Sequence, residues 1–266
     1  MNAIKLIDCF PYNGESIVSH RLEKMAKYVD IIYVIESWYT HSGNKKDFLY
    51  IEKNADVFKP YLDKIIFLVI PEFPPMPEEW RKSHENSSWM KDLASWWNES
   101  YQRNYVFSEL KKMSNINNFN FRYILIVSDV DEILNDNVML SLNPSSYNEI
   151  GSDPVFLEMD FFYYSWSWKK KYKWYHAFIM TDMLAKKDTD VSKIRVDVEK
   201  RRICPNAGWH LSYFMPADEL VRKLSSFAHR ECDQDGFRKK EWIEECLATG
   251  KDLYKRGEYE DCVRND

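Results

Sequence analysis

Three short apolar runs do most to limit what this 266-residue chain can fold into: Ile31-Ile32-Tyr33-Val34-Ile35, Ile65 to Ile70, and Tyr123-Ile124-Leu125-Ile126-Val127. Each is too short for a buried helix. Each is apolar at successive positions, so an extended strand would be covered on both faces, as inner strands of a parallel sheet are. Ile4 to Phe10 predicts a further strand, closed by the turn Pro11-Tyr12-Asn13-Gly14. Glu15 to Tyr28 predicts a helix, with Ile17, Val18, Leu22 and Met25 on one stripe. The proline-rich stretch Pro71 to Pro77 reads as an extended loop, followed by a long helix from Asp92 to Met113. After Asp153-Pro154 the pattern turns to aromatic-rich strands, Val155 to Trp168 and Trp174 to Met180, and then to helices over Ala217 to Leu224 and Asp235 to Leu247. Strands that alternate with helices imply right-handed crossovers. The expected fold is α/β: a mixed, mainly parallel, Rossmann-type sheet flanked by helices, in a single domain over residues 1–266.

The net charge of −5 argues against a nucleic-acid binder, which carries a basic excess. Lys169-Lys170-Lys171 and Lys200-Arg201-Arg202 read first as solvated loop charge, with contact to an anionic ligand or a membrane surface as the alternative. The five cysteines, Cys9, Cys204, Cys232, Cys246 and Cys262, are scattered and form no CxxC pair, as expected of reduced thiols. Met1 to Lys5 runs straight into a strand, and no apolar run has signal-peptide or transmembrane length. A cytoplasmic setting is expected, with peripheral membrane contact left open.

Open α/β sheets bind ligands beyond the carboxyl ends of their strands. There the sequence places Asp8, Asn13, Gly14 and Glu15, then Glu36, then Ser128, Asp129, Asp131 and Glu132. Asp129-Val130-Asp131 is the sharpest pattern. Residues two apart in an extended stretch face the same side, so both carboxylates can reach one Mn2+ or Mg2+, which in turn takes substrate phosphates. Asp188-Thr189-Asp190 and Asp233-Gln234-Asp235 repeat the spacing in polar surroundings and read as surface loops. Glu99 and Arg103 stand at ion-pair spacing on the long helix, with Arg103 free to reach Asp131 or a phosphate in the functional reading. His210 or His229 could complete a metal site or donate to a diphosphate, against the plainer reading of packing residues. Lys223 is a phosphate partner or a solvated helix lysine. Trp166, Trp168 and Trp174 form either an acceptor platform or core.

With these residues in view, the sequence resembles glycosyltransferase family 17. The matching segments are Asp8 to Glu15 with Phe10, Arg21-Leu22, Val29-Asp30, Tyr33 to Glu36, Glu99 to Asn104, Ser128 to Ile133, Gly208 to Ser212, and Lys223 to Glu231, in family order. The resemblance implies a GT-A-like fold and an inverting transferase. It implies a nucleotide-sugar donor, UDP-GlcNAc in characterised members, and a glycan acceptor. It makes Asp129 and Asp131 the DxD pair, residues 1–150 the donor half and 151–266 the acceptor side. Asp8, Phe10, Asn13, Gly14, Glu15, Glu36, Arg103, Ser128, Asp129, Lys223 and His229 are the donor-side candidates; Asp129, Asp131 and His210 are the metal candidates. The general base is expected to be Asp160 or Glu231, with Glu158 behind them. The chain lacks the membrane anchor and stem of the animal members, so a bacterial or viral glycan is the expected acceptor. Two alternatives differ in chemistry. A sugar nucleotidyltransferase needs a Gly-rich basic turn, but the first turn holds one glycine and neither lysine nor arginine. A non-catalytic carbohydrate-binding protein needs no carboxylates gathered at a strand rim.

Overall fold

The computed structural model describes residues 4–87, 90, 92–116, 122–185, 190–196, 202–226, 235–258 and 260–265. The elements are, in order, β1 (Lys5–Pro11), α1 (Val18–Met25), β2 (Ile31–Ser37), α2 (Tyr50–Lys53), α3 (Ala55–Phe58), β3 (Ile65–Ile70), α4 (Glu78–His84), α5 (Leu93–Ile116), β4 (Tyr123–Val127), β5 (Glu132–Leu134), α6 (Asp136–Ser141), α7 (Pro144–Ile150), β6 (Val155–Tyr163), β7 (Trp168–Lys169), β8 (Phe178–Thr181), α8 (Asp182–Ala185), α9 (Val191–Val196), β9 (Arg202–Ser212), α10 (Ala217–Ser226), α11 (Asp235–Arg238), α12 (Lys240–Thr249) and β10 (Val263–Arg264).

The apolar runs form the inner strands, and β3, β2, β1 and β4 lie side by side in parallel. Alternation feeds both faces of this sheet. Leu6 and Phe10 of β1, with Ile124 and Ile126 of β4, enter one apolar cluster; Ile7, Cys9, Tyr123, Leu125 and Val127 enter the other. The second half joins the same sheet through β8, antiparallel to β4, and then β6. β6 runs parallel to β9, which folds back against β5. One mixed sheet therefore spans both halves, and parallel pairing dominates its register.

Several expectations need correction. The strand expected to reach Trp168 ends at Tyr163, where Tyr164 turns into the left-handed region at φ 67°. Of the run from Trp174, only Phe178–Thr181 is strand, although Trp174 bridges to Met159. The first helix starts at Val18 rather than Glu15, and the proline-rich loop ends in the short helix α4, which the sequence reading missed. The expected helix from Asp235 breaks at Lys239 into α11 and α12. Lys170 is not solvated loop charge. It is buried beneath the C-terminal segment, beside Asp252 and the Glu260 carbonyl, with its ammonium over the Tyr163 ring. Trp168 and Trp174 are packing residues, the first donating to the Leu247 carbonyl. No helix among the described residues is long and apolar enough to cross a membrane.

Candidate functional site

The site is organised around a buried arginine. Arg21 lies on the apolar stripe of α1 between Val18 and Met25, fully buried. Its guanidinium donates to both Asp8 carboxylate oxygens at 2.9 and 2.5 Å and to Ser128 Oγ at 2.7 Å. It also donates to the carbonyls of Asp129 and Glu132, each at 2.8 Å, and covers the Phe10 ring at 4.5 Å. A buried guanidinium so fully satisfied is a structural pin. It ties the end of β1 to the turn that leaves β4. Asp8, Phe10 and Ser128, expected from sequence on the donor side, are buried and hold this pin.

Glu36 is likewise internal. Its carboxylate takes Lys46 and the backbone N–H groups of Tyr50 and Ile51, and so anchors α2 to the end of β2. Gly14, at φ 87°, lies under the Tyr50 ring, where a Cβ would have no room. The Asn13 side chain donates to Ser226 Oγ at 3.3 Å, and its N–H donates to Glu15 at 2.8 Å. These contacts link the first turn to the end of α10. A small recess lined by Tyr12, Asn13, Ser37, His41, Lys46 and Gln102 lies here, with a volume of about 10 Å3. That is room for roughly one water.

The two aspartates that leave β4 have different surroundings. Asp129 is held by Arg103 at 3.0 Å, which also pairs with Glu99, and by Arg195 at 2.8 Å. Burial would raise its pKa, but the two guanidiniums override this and hold its carboxyl well below the usual range. Arg195 reaches on to Glu132 at 3.1 Å, whose other partners are the Trp174 indole and the Asp129 N–H. Asp131 is buried too, and its carbonyl accepts from the Leu211 N–H, yet among the described residues no hydrogen bond reaches its carboxylate. His210 Nε2 and Lys223 Nζ each stand 3.8 Å away, on different carboxylate oxygens. Burial raises its pKa, and these two neighbours offset this only in part.

The fold accounts for this meeting. β5 pairs antiparallel with β9 in a register that puts Glu132 opposite His210, next to Asp131. Gly208 permits the approach, because a Cβ there would strike the Ile133 backbone oxygen. His210 stacks on Phe161 at 4.6 Å and lies beside Trp174; its Nδ1 is buried without a partner among the described residues. Burial lowers its pKa and favours the neutral imidazole. Lys223 arrives from α10, its pKa subject to burial but raised on balance by Asp131 and Glu15.

Among the described residues, no three histidine, cysteine or carboxylate side chains form a ready metal cage. The donor set discriminates between the candidates. Asp129 has both oxygens committed to guanidiniums. Asp131 and His210 are under-partnered among the described residues, and at 3.8 Å the gap between them is too wide for a hydrogen bond. They fit an ion that completes its shell with substrate phosphates, as hard divalent cations do; Asp129 does not fit as a direct ligand.

Asp160 is not brought to this cluster. It pairs in register with Trp209, one residue from the Phe161–His210 pair, so strand alternation turns it to the opposite face. There it binds Lys173 at 2.8 Å and Lys169 at 2.9 Å. Glu158, two residues back, accepts from Tyr175. His229, Glu231, Asp188-Thr189 and Asp233-Gln234 lie outside the described residues, while Asp190 accepts from Asn104 and from the first N–H groups of α9. The sequence reading missed Arg21 as the pin, Arg195 and the pair His41–Gln102. His41 Nε2 lies 2.6 Å from Gln102 Oε1, and the Gln102 amide caps the Ile35 carbonyl. Arg21 could have been found as a charged residue on an apolar helical stripe; nothing local marks Arg195.

The class these features define is an α/β protein whose paired acidic and basic side chains gather at the carboxyl ends of parallel strands, where such sheets take anionic ligands. The model of glycosyltransferase family 17 matches residues 3–258, and the chain belongs to that family. A search of curated proteins finds no match to it.

Proposed function

We propose that this glycosyltransferase is a metal-dependent, inverting enzyme. It moves a sugar, GlcNAc from UDP-GlcNAc in the reading carried from the family resemblance, onto a hydroxyl of a glycan acceptor. One observation carries the proposal: a buried, under-partnered Asp131 faces His210 and Lys223 at the strand rim of a family 17 fold. A divalent cation bound there, Mn2+ or Mg2+, would neutralise charge on the donor diphosphate. Asp131 and the neutral His210 would hold it. Lys223, 3.8 Å from Asp131, would stabilise the departing UDP, and Arg103 and Arg195 hold Asp129 and keep positive charge near the same rim. Asn13 and Glu15 border the donor side. Glu231, which follows α10, is the base we assign to the acceptor hydroxyl, since Asp160 faces away. The cytoplasm is the proposed setting. The four described cysteines are free, as thiols in a reducing compartment are.

The test is UDP release from a panel of nucleotide sugars with Mn2+. UDP-GlcNAc should be turned over, and Asp131→Asn should slow release by roughly 100-fold or more, the usual scale for losing a charge-stabilising group. Wild-type turnover by Asp131→Asn would remove the metal and phosphate assignment.

A further inference from the structure

A second hollow lies round the strand ends from the Asp131 cluster. β6 and β9 both leave the sheet through tyrosines in the left-handed region, Tyr164 at φ 67° and Tyr213 at φ 60°. This is a conformation that bulky residues adopt only where the surroundings impose it. The turns bring Trp166 and Phe214 together, with ring centroids 5.5 Å apart and edge to face. Trp166 also packs on Phe162 and Trp209, the neighbours in sequence of the Phe161–His210 pair. Strand alternation therefore sets the hollow and the cluster on opposite faces of the same two strand ends. The start of α1 forms the facing wall. The wall also takes in Ser16 and Ile17, which lead into α1 directly after Glu15, whose charge acts on Lys223.

The hollow has a volume of about 290 Å3, close to the lower end of the roughly 300–1,000 Å3 typical of small-molecule sites. Trp166 remains 45% exposed although three aromatic rings surround it. The rim adds the hydroxyls of Ser16, Ser19 and Ser165 and the His20 imidazole, and among the described residues no carboxylate, lysine or arginine lines it. An uncharged ligand with one apolar face and a ring of hydroxyls matches this lining. A pyranose has that shape: its axial C–H groups lie against an indole face while its hydroxyls reach the rim.

We infer that the Trp166 hollow is a saccharide subsite, which holds a sugar ring of the acceptor other than the one that is glycosylated. The inference rests on the glycosyltransferase reading for its role. Its binding chemistry is independent of donor and metal, and the two are tested apart. Saturation-transfer NMR with N,N′-diacetylchitobiose, methyl α-mannoside and methyl β-N-acetylglucosaminide, without nucleotide or metal, reads the hollow alone. At least one saccharide should receive saturation from the wild-type protein. That signal should be lost in Trp166→Ala, and lost again in Ser19→Trp, which fills the hollow from an exposed position and spares the aromatic packing. The subsite is overturned if none of the three saccharides is saturated, or if saturation is undiminished in either variant. Absence of UDP release from every donor would instead strike the transferase proposal and leave this result standing.

Discussion

At the scale of single residues, and with Asp131 as the exception, most of the buried charge around the site is fully partnered. Arg21 is the extreme case. Replacing it with Met would leave the Asp8 side chain without its partner inside the sheet, and would release the Asp129 and Glu132 carbonyls. Breaking a buried pair from one side costs about 3–5 kcal/mol. Arg21→Met should therefore lower the unfolding free energy obtained from urea titration by that amount, and the double variant Asp8→Leu/Arg21→Met should recover part of it. A change of under about 1 kcal/mol would show that the pin is dispensable. His41 gives a pH-dependent counterpart. Burial lowers its pKa below the ordinary 6.5, with Glu99 and Gln102 opposing only in part. A base whose folded pKa is depressed contributes stability that is present above the unfolded pKa and lost as pH falls through the folded value. The Tm of the wild type should thus drop more steeply below pH 6.5 than that of His41→Gln. Parallel Tm curves for the two proteins would rule His41 out as the source. These residues also show what the sequence made legible. The acidic pair at 129 and 131 could be located because it follows an apolar strand directly. Its division of labour could not, because the arginines that claim Asp129 come from α5 and from α9, distant in the chain.

At the scale of elements, the site is assembled by a strand pairing that sequence patterning scarcely records. β4 was legible to the residue, since five apolar residues in a row leave little else to form. β5 is three residues long, and β9 carries polar residues and a bulge opposite Leu157 and Met159, so neither announces itself. Yet their register is what sets His210 beside Asp131. Gly208 is its weak point: at φ 157°, and with no room for a Cβ against the Ile133 carbonyl, the chain can cross there only as glycine. Gly208→Ala should destabilise the protein by about 1–3 kcal/mol, the range for overpacking a tight site. It should also weaken Mn2+-dependent UDP binding, measured by calorimetry, because His210 would be pushed off Asp131. If Gly208→Ala lost stability but bound UDP and Mn2+ as the wild type does, the β5–β9 register would not be what positions the site. The aromatic second half misled for a related reason. Trp174 and Tyr175 have strand propensity, but at these positions they are recruited to cover His210 and Glu158, and tertiary packing overrides the local preference.

At the scale of the whole molecule, the absence of a break between halves has a measurable consequence. β4 and β8 pair along four residues, and this seam makes the parallel first half and the mixed second half one sheet. The candidate site draws on both sides of it: Asp131 precedes β5, His210 comes from β9 and Lys223 from α10. Unfolding one half would dismantle the site and expose the apolar faces of the other, so the chain should unfold in one step. Far-UV circular dichroism and tryptophan fluorescence should give coincident thermal transitions. UDP with Mn2+, bound only when both halves are in place, should then raise the entire transition. At ligand about 100-fold above Kd the gain is about 2.7 kcal/mol, or roughly 5–10 °C for a domain of this size. The two halves would be independent units if the probes separated, or if ligand moved one transition and left a second in place. In that case the cluster at Asp131 would be a contact between folded pieces rather than a product of one fold.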